Sequence, residues 1–330
     1  MGIYVITHIV EKGETLEDIA AIYGIPDVRM LFSFHHLYVP ENKNHLGKVL
    51  YEGQEIFVPT RDDIEKMIAD RDKRRQENFD RKLHKLRTRT FYFPFFKTNY
   101  NYLVTIKDAG SENVYTMSLL IEYFNKNDDD LYPLRIHQSE IKCNNTLPNL
   151  SVEIMASEVN KTIFPLEIYV NKKGLVEKIN RIYDFRKKFK RNKSELEEFF
   201  EGEVGAKLIE QISYEVSDSI TLSKYLNSNI LWAILLRGRV GNYKDGICEK
   251  EMRLLNDHEL FPVKNMMQKN VEIGSKYYYI SQEIRKKEGF DFQLNVQYKQ
   301  DIEHDMLEEA EIDLHNGSEN IHITIKKTQI

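Results

Sequence analysis

Residue types able to ligate a metal or carry a reaction are present in this chain, but few of them stand at the spacings such chemistry needs. Four histidines, His8, His35, His36 and His45, fall in the first fifty residues, and imidazole is a common zinc ligand. Adjacent histidines point different ways on most backbones, however, and no His-Glu-x-x-His or paired Cys/His spacing accompanies them. No metal is expected. Asn127-Asp128-Asp129-Asp130 has the charge of a calcium loop without the glycine and the distal bidentate glutamate of an EF-hand, so it reads as a solvated hairpin turn. Gly-x-Ser-x-Gly, P-loop and Gly-x-Gly-x-x-Gly runs are lacking, and the Gly238 to Gly241 stretch is too short to cradle a phosphate. Glycoside hydrolysis would require two carboxylates flanking a bond, and surface helices account for the glutamates. No catalytic residue and no cofactor are assigned, and the chain reads as non-enzymatic.

The elements that would position any site must come from 330 residues, of which 41% are hydrophobic, 11% aromatic and 30% charged, with a net charge of −5. That is enough apolar material for at least one substantial core, which excludes a wholly disordered chain. A mean hydropathy of −0.52, with no apolar run near the ~20 residues needed to cross a bilayer, predicts no membrane span. The opening residues lack a basic segment, an apolar core and a small-residue cleavage site, so no classical signal peptide is expected and the protein is placed in the cytoplasm. Cys143 and Cys248 are the only cysteines, too few for a disulfide framework and consistent with a reducing compartment.

Three regions follow along the chain, and no 20- to 50-residue repeat is seen. Residues 1–60 are rich in turn signals and end in Phe57-Val58-Pro59-Thr60. Residues 61–90 form a charged linker: Ile64, Met67 and Ile68, then Phe79, Leu83 and Leu86, recur at helical spacing with neither Gly nor Pro between them. The middle of that helix offers little to bury, so it reads as a strut docked at both ends. Its basic clusters are interleaved with Asp70, Asp72, Glu77 and Asp80, which favours ion pairs on a solvated face over a nucleic-acid surface.

Residues 91–330 alternate as strands, then helices, then strands, an α+β order. Strands are predicted over 102–107, 114–124, 134–143, 150–155 and 164–170, with a hairpin over 170–179 in which Gly174 takes the positive-φ position. A helical insert over about 181–238 includes an apolar helix over 219–236, expected to be buried, with its N-cap within Ser217-Asp218-Ser219 and its stop at Gly238. Strands resume over 276–281, 290–298, 311–315 and 321–325, the last two around Asn316-Gly317. Phe290, Phe292, Leu294, Val296 and Tyr298 alternate strictly with polar residues, as in a sheet with one buried and one wet face. The expectation is a large curved antiparallel sheet folded over the apolar helix. The aromatics Phe91, Phe93, Phe95 and Phe96, with Tyr277 and Tyr279, are candidates for a protein-contact surface, because consecutive strand residues face opposite sides.

The first sixty residues carry the most specific pattern. Val10, Lys12-Gly13-Glu14-Thr15-Leu16, Ile19-Ala20, Tyr23-Gly24 and Gly53-Gln54-Glu55-Ile56-Phe57-Val58-Pro59 follow one another as in the LysM module, which this segment resembles. The resemblance covers under a fifth of the chain and departs from the family after the second helix. There Leu31 to Tyr38 and a long connection over 39–48 replace the usual asparagine-containing loop. It implies a βααβ fold with two helices packed on one side of a two-stranded sheet.

By position, the resemblance implies that N-acetylglucosamine polymers such as peptidoglycan would be bound by Gly13, Glu14, Thr15 and Leu16, with Tyr51, Gly53 and Gln54 from the facing loop. The same residues have structural duties: Gly13 in its turn, Thr15 as a cap, Leu16 in the core. LysM modules also serve as docking modules in contractile injection machines. A leaderless LysM-like module, a charged strut and a larger body therefore imply an adaptor or structural component of a type VI secretion or phage-tail-like apparatus. Its partners would be spike or baseplate proteins or a toxin cargo. The alternative is a peptidoglycan-binding protein, and the third reading a wall-degrading effector.

Overall fold

The computed structural model describes residues 5–39, 46–47, 49–93, 99–147, 154, 157–158, 160–161, 163–180, 182–199, 202–255, 260–284 and 291–329. The chain divides into two compact units, Met1–Leu83 and His84–Ile330.

The first unit runs β1 (Ile6–Ile9), α1 (Leu16–Ile22), α2 (Val28–Tyr38) and β2 (Glu55–Val58), followed by most of α3 (Arg61–Arg87). β1 and β2 pair antiparallel with Ile6 opposite Val58 and Ile9 opposite Glu55. Thr15 starts α1 through a reciprocal capping box with Asp18, which satisfies two orphan N–H groups at once. Asp27 caps α2 by accepting from the Arg29 N–H at 2.9 Å. Ile19, Leu31, Ile56 and Val58 are buried together with Val10 and Ala20, and Ile64, Met67 and Ile68 of α3 join them. Every residue from Ala69 to Asn78 is exposed, so the middle of α3 is solvated, while Leu86 near its end is again buried.

The second unit opens with β3 (Thr90–Phe91), β4 (Tyr100–Asp108), β5 (Val114–Tyr123), β6 (Tyr132–Gln138), β7 (Lys142–Cys143), β8 (Leu166–Val170) and β9 (Val176–Ile179). Helices α4 (Ile182–Phe199), α5 (Glu203–Glu215), α6 (Ser219–Ser228) and α7 (Ile230–Arg237) follow. Strands β10 (Gly241–Asn242), β11 (Ile247–Arg253), β12 (Leu260–Met267), β13 (Tyr277–Ile284), β14 (Phe292–Asp301), β15 (Leu307–Asn316) and β16 (Glu319–Thr328) complete it. Twelve strands form one sheet in the order β11-β12-β13-β14-β15-β16-β4-β5-β6-β8-β9, with β7 on β5, while β3 and β10 pair separately. All the pairings are antiparallel, so the class is α+β with a large antiparallel sheet.

Period-2 alternation sends one set of side chains inward across the whole sheet. Val296 faces Ile312, Ile312 faces Ile323 and Ile323 faces Ile106 along one such row. The sheet curls. Its strands β8 and β14 are six steps apart, about 29 Å if flat, yet both reach the end of α7. A Cβ added to Gly174, in the β8–β9 turn, would stand 2.1 Å from the Leu236 carbonyl oxygen, and one on Gly238 would stand 1.8 Å from the Tyr298 hydroxyl of β14. The stretch from Arg87 to Phe93 spans the remaining gap. Arg87 donates to Gln268 O and Asp245 O on the β11–β12 side, and the Phe93 N–H donates to Lys172 O in the β8–β9 hairpin at 2.9 Å.

Several expectations need correction. The apolar helix over 219–236 is two helices, because Asn229 leaves helical geometry (φ −66°, ψ 130°) and its side chain accepts from Leu231 N and Trp232 N. Capping thus interrupts an apolar pattern that reads as continuous. The strand over 134–143 is split into β6 and β7, with Ser139 Oγ accepting from the Ser118 N–H between them. The strand over 150–155 lies outside the described residues except for Ile154, which is helical. Strands β11 and β12 were not expected. Asn227 of α6 makes a two-point bridge to β9, accepting from Val176 N at 2.9 Å and donating to Val176 O at 3.0 Å.

Candidate functional site

In the first unit, the residues singled out by the LysM resemblance stand at one end of the β1–β2 ribbon. Val10 N donates to Gln54 O at 2.9 Å and Gly53 N donates to Val10 O at 2.8 Å, so the loop carrying Gly13 to Leu16 lies beside the loop carrying Tyr51 to Gln54. Tyr51 is 71% exposed, while Gln54 turns back to accept from the Tyr51 N–H at 3.2 Å. Glu14 accepts from His8 Nε2 at 2.8 Å and from Glu11 N at 2.9 Å, and the His8 contact leads in holding its carboxyl below the usual carboxylate range. Thr15 is occupied in its capping box, and Leu16 packs against the core. The exposed part of this end is therefore the side chain of Tyr51 with Gly13 and Gly53.

In the second unit, a group of polar side chains, most of them buried, surrounds Gly238. Its carbonyl accepts from Lys250 Nζ, Asn265 Nδ2 and Gln282 Nε2, each at 2.8 Å. Tyr298 donates to Gln282 Oε1 at 3.0 Å, and Asn265 Nδ2 reaches the Tyr243 hydroxyl at 2.9 Å. Lys250 also donates to the carbonyls of Arg237 and Val240 at 2.7 and 2.6 Å. Burial brings the Lys250 ammonium down to about 7, against three carbonyl acceptors that favour its charged form. Burial also pushes the phenols of Tyr298 and Tyr243 above their ordinary range, which keeps them neutral hydrogen-bonding groups. These groups anchor the C-terminal end of α7 to β11–β14.

On the other half of the inner face, the sheet and the helices stand apart and leave a cavity of about 620 Å³. One wall is Ile106 of β4, Met117 of β5 and Ile323 of β16; the facing wall includes Ile212 of α5, Tyr225 of α6 and Trp232 of α7. Strand alternation shows in the sequence that the first three face inward, but not that the helices stop short of them.

The other candidates separate. Phe91 and Phe93 are 3% and 1% exposed, which removes them from an exposed contact surface: the Arg89 guanidinium lies 3.9 Å over the Phe91 ring, and Phe93 meets Tyr132 edge-on. Phe95 and Phe96 lie outside the described residues. Tyr277 is half-buried, with the Lys299 ammonium 4.7 Å over its ring, and Tyr279 is 42% exposed. His35 is buried and accepts from Phe57 N at 3.0 Å, while His45 lies outside the described residues. Among the described residues, no three His, Cys, Asp or Glu side chains are grouped so as to hold a metal, and no helix is long and apolar enough to cross a membrane. Asn127 holds the β5–β6 turn by accepting from Asp129 N and Leu131 N. Cys248 is buried and Cys143 half-buried, with no disulfide between them.

No family model matches the chain, and no curated protein matches it in sequence.

Proposed function

We propose that the chain is a non-enzymatic adaptor of a contractile secretion apparatus, docked through a LysM-like N-terminal module, with the larger α+β unit holding a protein partner or cargo. The observation that carries the reading is the pair of backbone hydrogen bonds joining Val10 to Gln54 and Gly53. They set the two loops of the resemblance side by side at one end of a β-α-α-β unit. In the second unit, the polar side chains around Gly238 hold the C-terminal end of α7 to the sheet. Affinity purification of the full-length chain from its own cells, followed by mass spectrometry, tests this. Spike, baseplate or toxin proteins at stoichiometric yield are expected; recovery of the chain alone would overturn the proposal.

The exposure of Tyr51 beside Gly53 favours one further reading, a peptidoglycan-binding module, since an exposed aromatic ring can stack on a sugar face. Sedimentation of the full-length chain with purified sacculi is the corresponding test, and a chain left entirely in the supernatant would dispose of it.

A further inference from the structure

We infer that the cavity between the sheet and helices α5 to α7 binds the hydrocarbon chain of a neutral, single-chain lipid. This goes beyond the docking role proposed above and rests on the second unit alone. The volume, about 620 Å³, lies within the roughly 300–1,000 Å³ of small-molecule sites. The walls face each other, so the space is not a flat patch for a second copy.

The lining chemistry selects the ligand further. Although 30% of the chain is charged, none of the described lining residues is Asp, Glu, Lys or Arg. A charged ligand body would lose its hydration there without an ion partner. Most of the lining is aliphatic, and several of these residues, including Ile106, Met117 and Ile212, are only half-buried. They therefore retain apolar surface for a guest to cover, each square ångström worth about 25 cal/mol. The amides of Gln138 and Asn160 also line the space. They supply hydrogen-bonding groups suited to an ester, hydroxyl or amide head. Tyr225 and Leu255, 39% and 41% exposed, mark the side open to solvent.

The chain supplies its own reporter, because Trp232 is its single tryptophan and lines the cavity. The full-length protein is titrated with a monoacylglycerol brominated along its chain, since bromine quenches indole fluorescence only at contact range. Saturable quenching at one ligand per chain is expected, with no quenching by the brominated head group lacking the chain. Ile106→Phe, which adds bulk inside the cavity, weakens that binding about tenfold, and its circular dichroism and melting curve establish that it is folded. Absence of quenching in the wild-type protein would overturn the inference. So would quenching confined to vesicles of brominated diacyl phospholipid, which would mark a membrane-docking face instead. Partner purification reads the adaptor role separately, so either idea can fail without the other.

Discussion

A methyl group on Gly238 would stand 1.8 Å from the hydroxyl of Tyr298, with the ring carbon behind it at 2.8 Å. The last turn of α7 is thus pressed against β14 at a distance only a glycine allows. The Tyr298 hydroxyl cannot retreat without releasing Gln282, to which it donates. Gly238→Ala is expected to destabilise the second unit by roughly 2 kcal/mol or more, the upper part of the range for overpacking. Tyr298→Phe alone costs about 1 kcal/mol by leaving Gln282 Oε1 without that donor. In the double variant the two losses are less than additive, measured by urea unfolding as a double-mutant cycle.

Gly174→Ala adds a second, independent strain. Its φ of +77° suits glycine, and the added methyl would meet the Leu236 carbonyl oxygen at 2.1 Å. The left-handed backbone alone costs about 1–2 kcal/mol. Melting of the full-length chain is expected to show the transition of the second unit shifted down while that of the first stays in place.

Lys250 makes stability depend on pH. Its ammonium is brought from 10.5 down to about 7 in the folded protein, so the unfolded chain binds more protons between those values. Stability therefore rises with pH across that window, and the deficit is complete below it. The slope is no steeper than about 1.4 kcal/mol per pH unit. Urea unfolding at several values between about pH 6.5 and 10 is expected to show the rise in the wild type and its loss in Lys250→Met.

Thr15 and Tyr51 separate structure from recognition in the N-terminal unit. Thr15→Ala removes half of a capping box and is expected to cost about 1 kcal/mol. Tyr51, 71% exposed, is expected to leave the melting temperature unchanged on replacement by Ala. If sugar binding is its task, the same substitution lowers retention on sacculi about tenfold, read by sedimentation.

Asn229→Ala removes the side chain that accepts from Leu231 N and Trp232 N. The expected cost is about 1 kcal/mol, accompanied by a change in Trp232 emission as α7 loses its fixed start.

Sheet and strut were readable where one physical signal dominated. Strict alternation from Phe292 to Tyr298 marked β14, and the charged run between Ile68 and Phe79 marked the solvated middle of α3. Strands β11 and β12 escaped because Ile247-Cys-Glu-Lys-Glu-Met-Arg253 is poor in β-branched residues and Pro262 sits inside β12. Proline argues against a strand until its neighbours are known. The split at Asn229 was written in a residue that prefers caps, but the surrounding leucines and isoleucines masked it. The cavity could not be seen in the chain at all. Alternation says that Ile106 and Met117 face inward, whereas the distance at which helices stop above them depends on the anchoring of Gly238 by Lys250, Asn265 and Gln282, three residues from three different strands.

The bridge from Asn227 to Val176 has a consequence for how this sheet meets other molecules. β9 ends the hydrogen-bonded order of strands, and an outermost strand ordinarily offers its unpaired amides and carbonyls as a template on which a further chain can grow. Here a carboxamide from a helix occupies both groups of Val176 in the manner of a neighbouring strand. Fibrillar or edge-to-edge growth from that side would first have to lift α6 away. The same asparagine that fixes the helix to the sheet thus also guards the β9 edge at Val176.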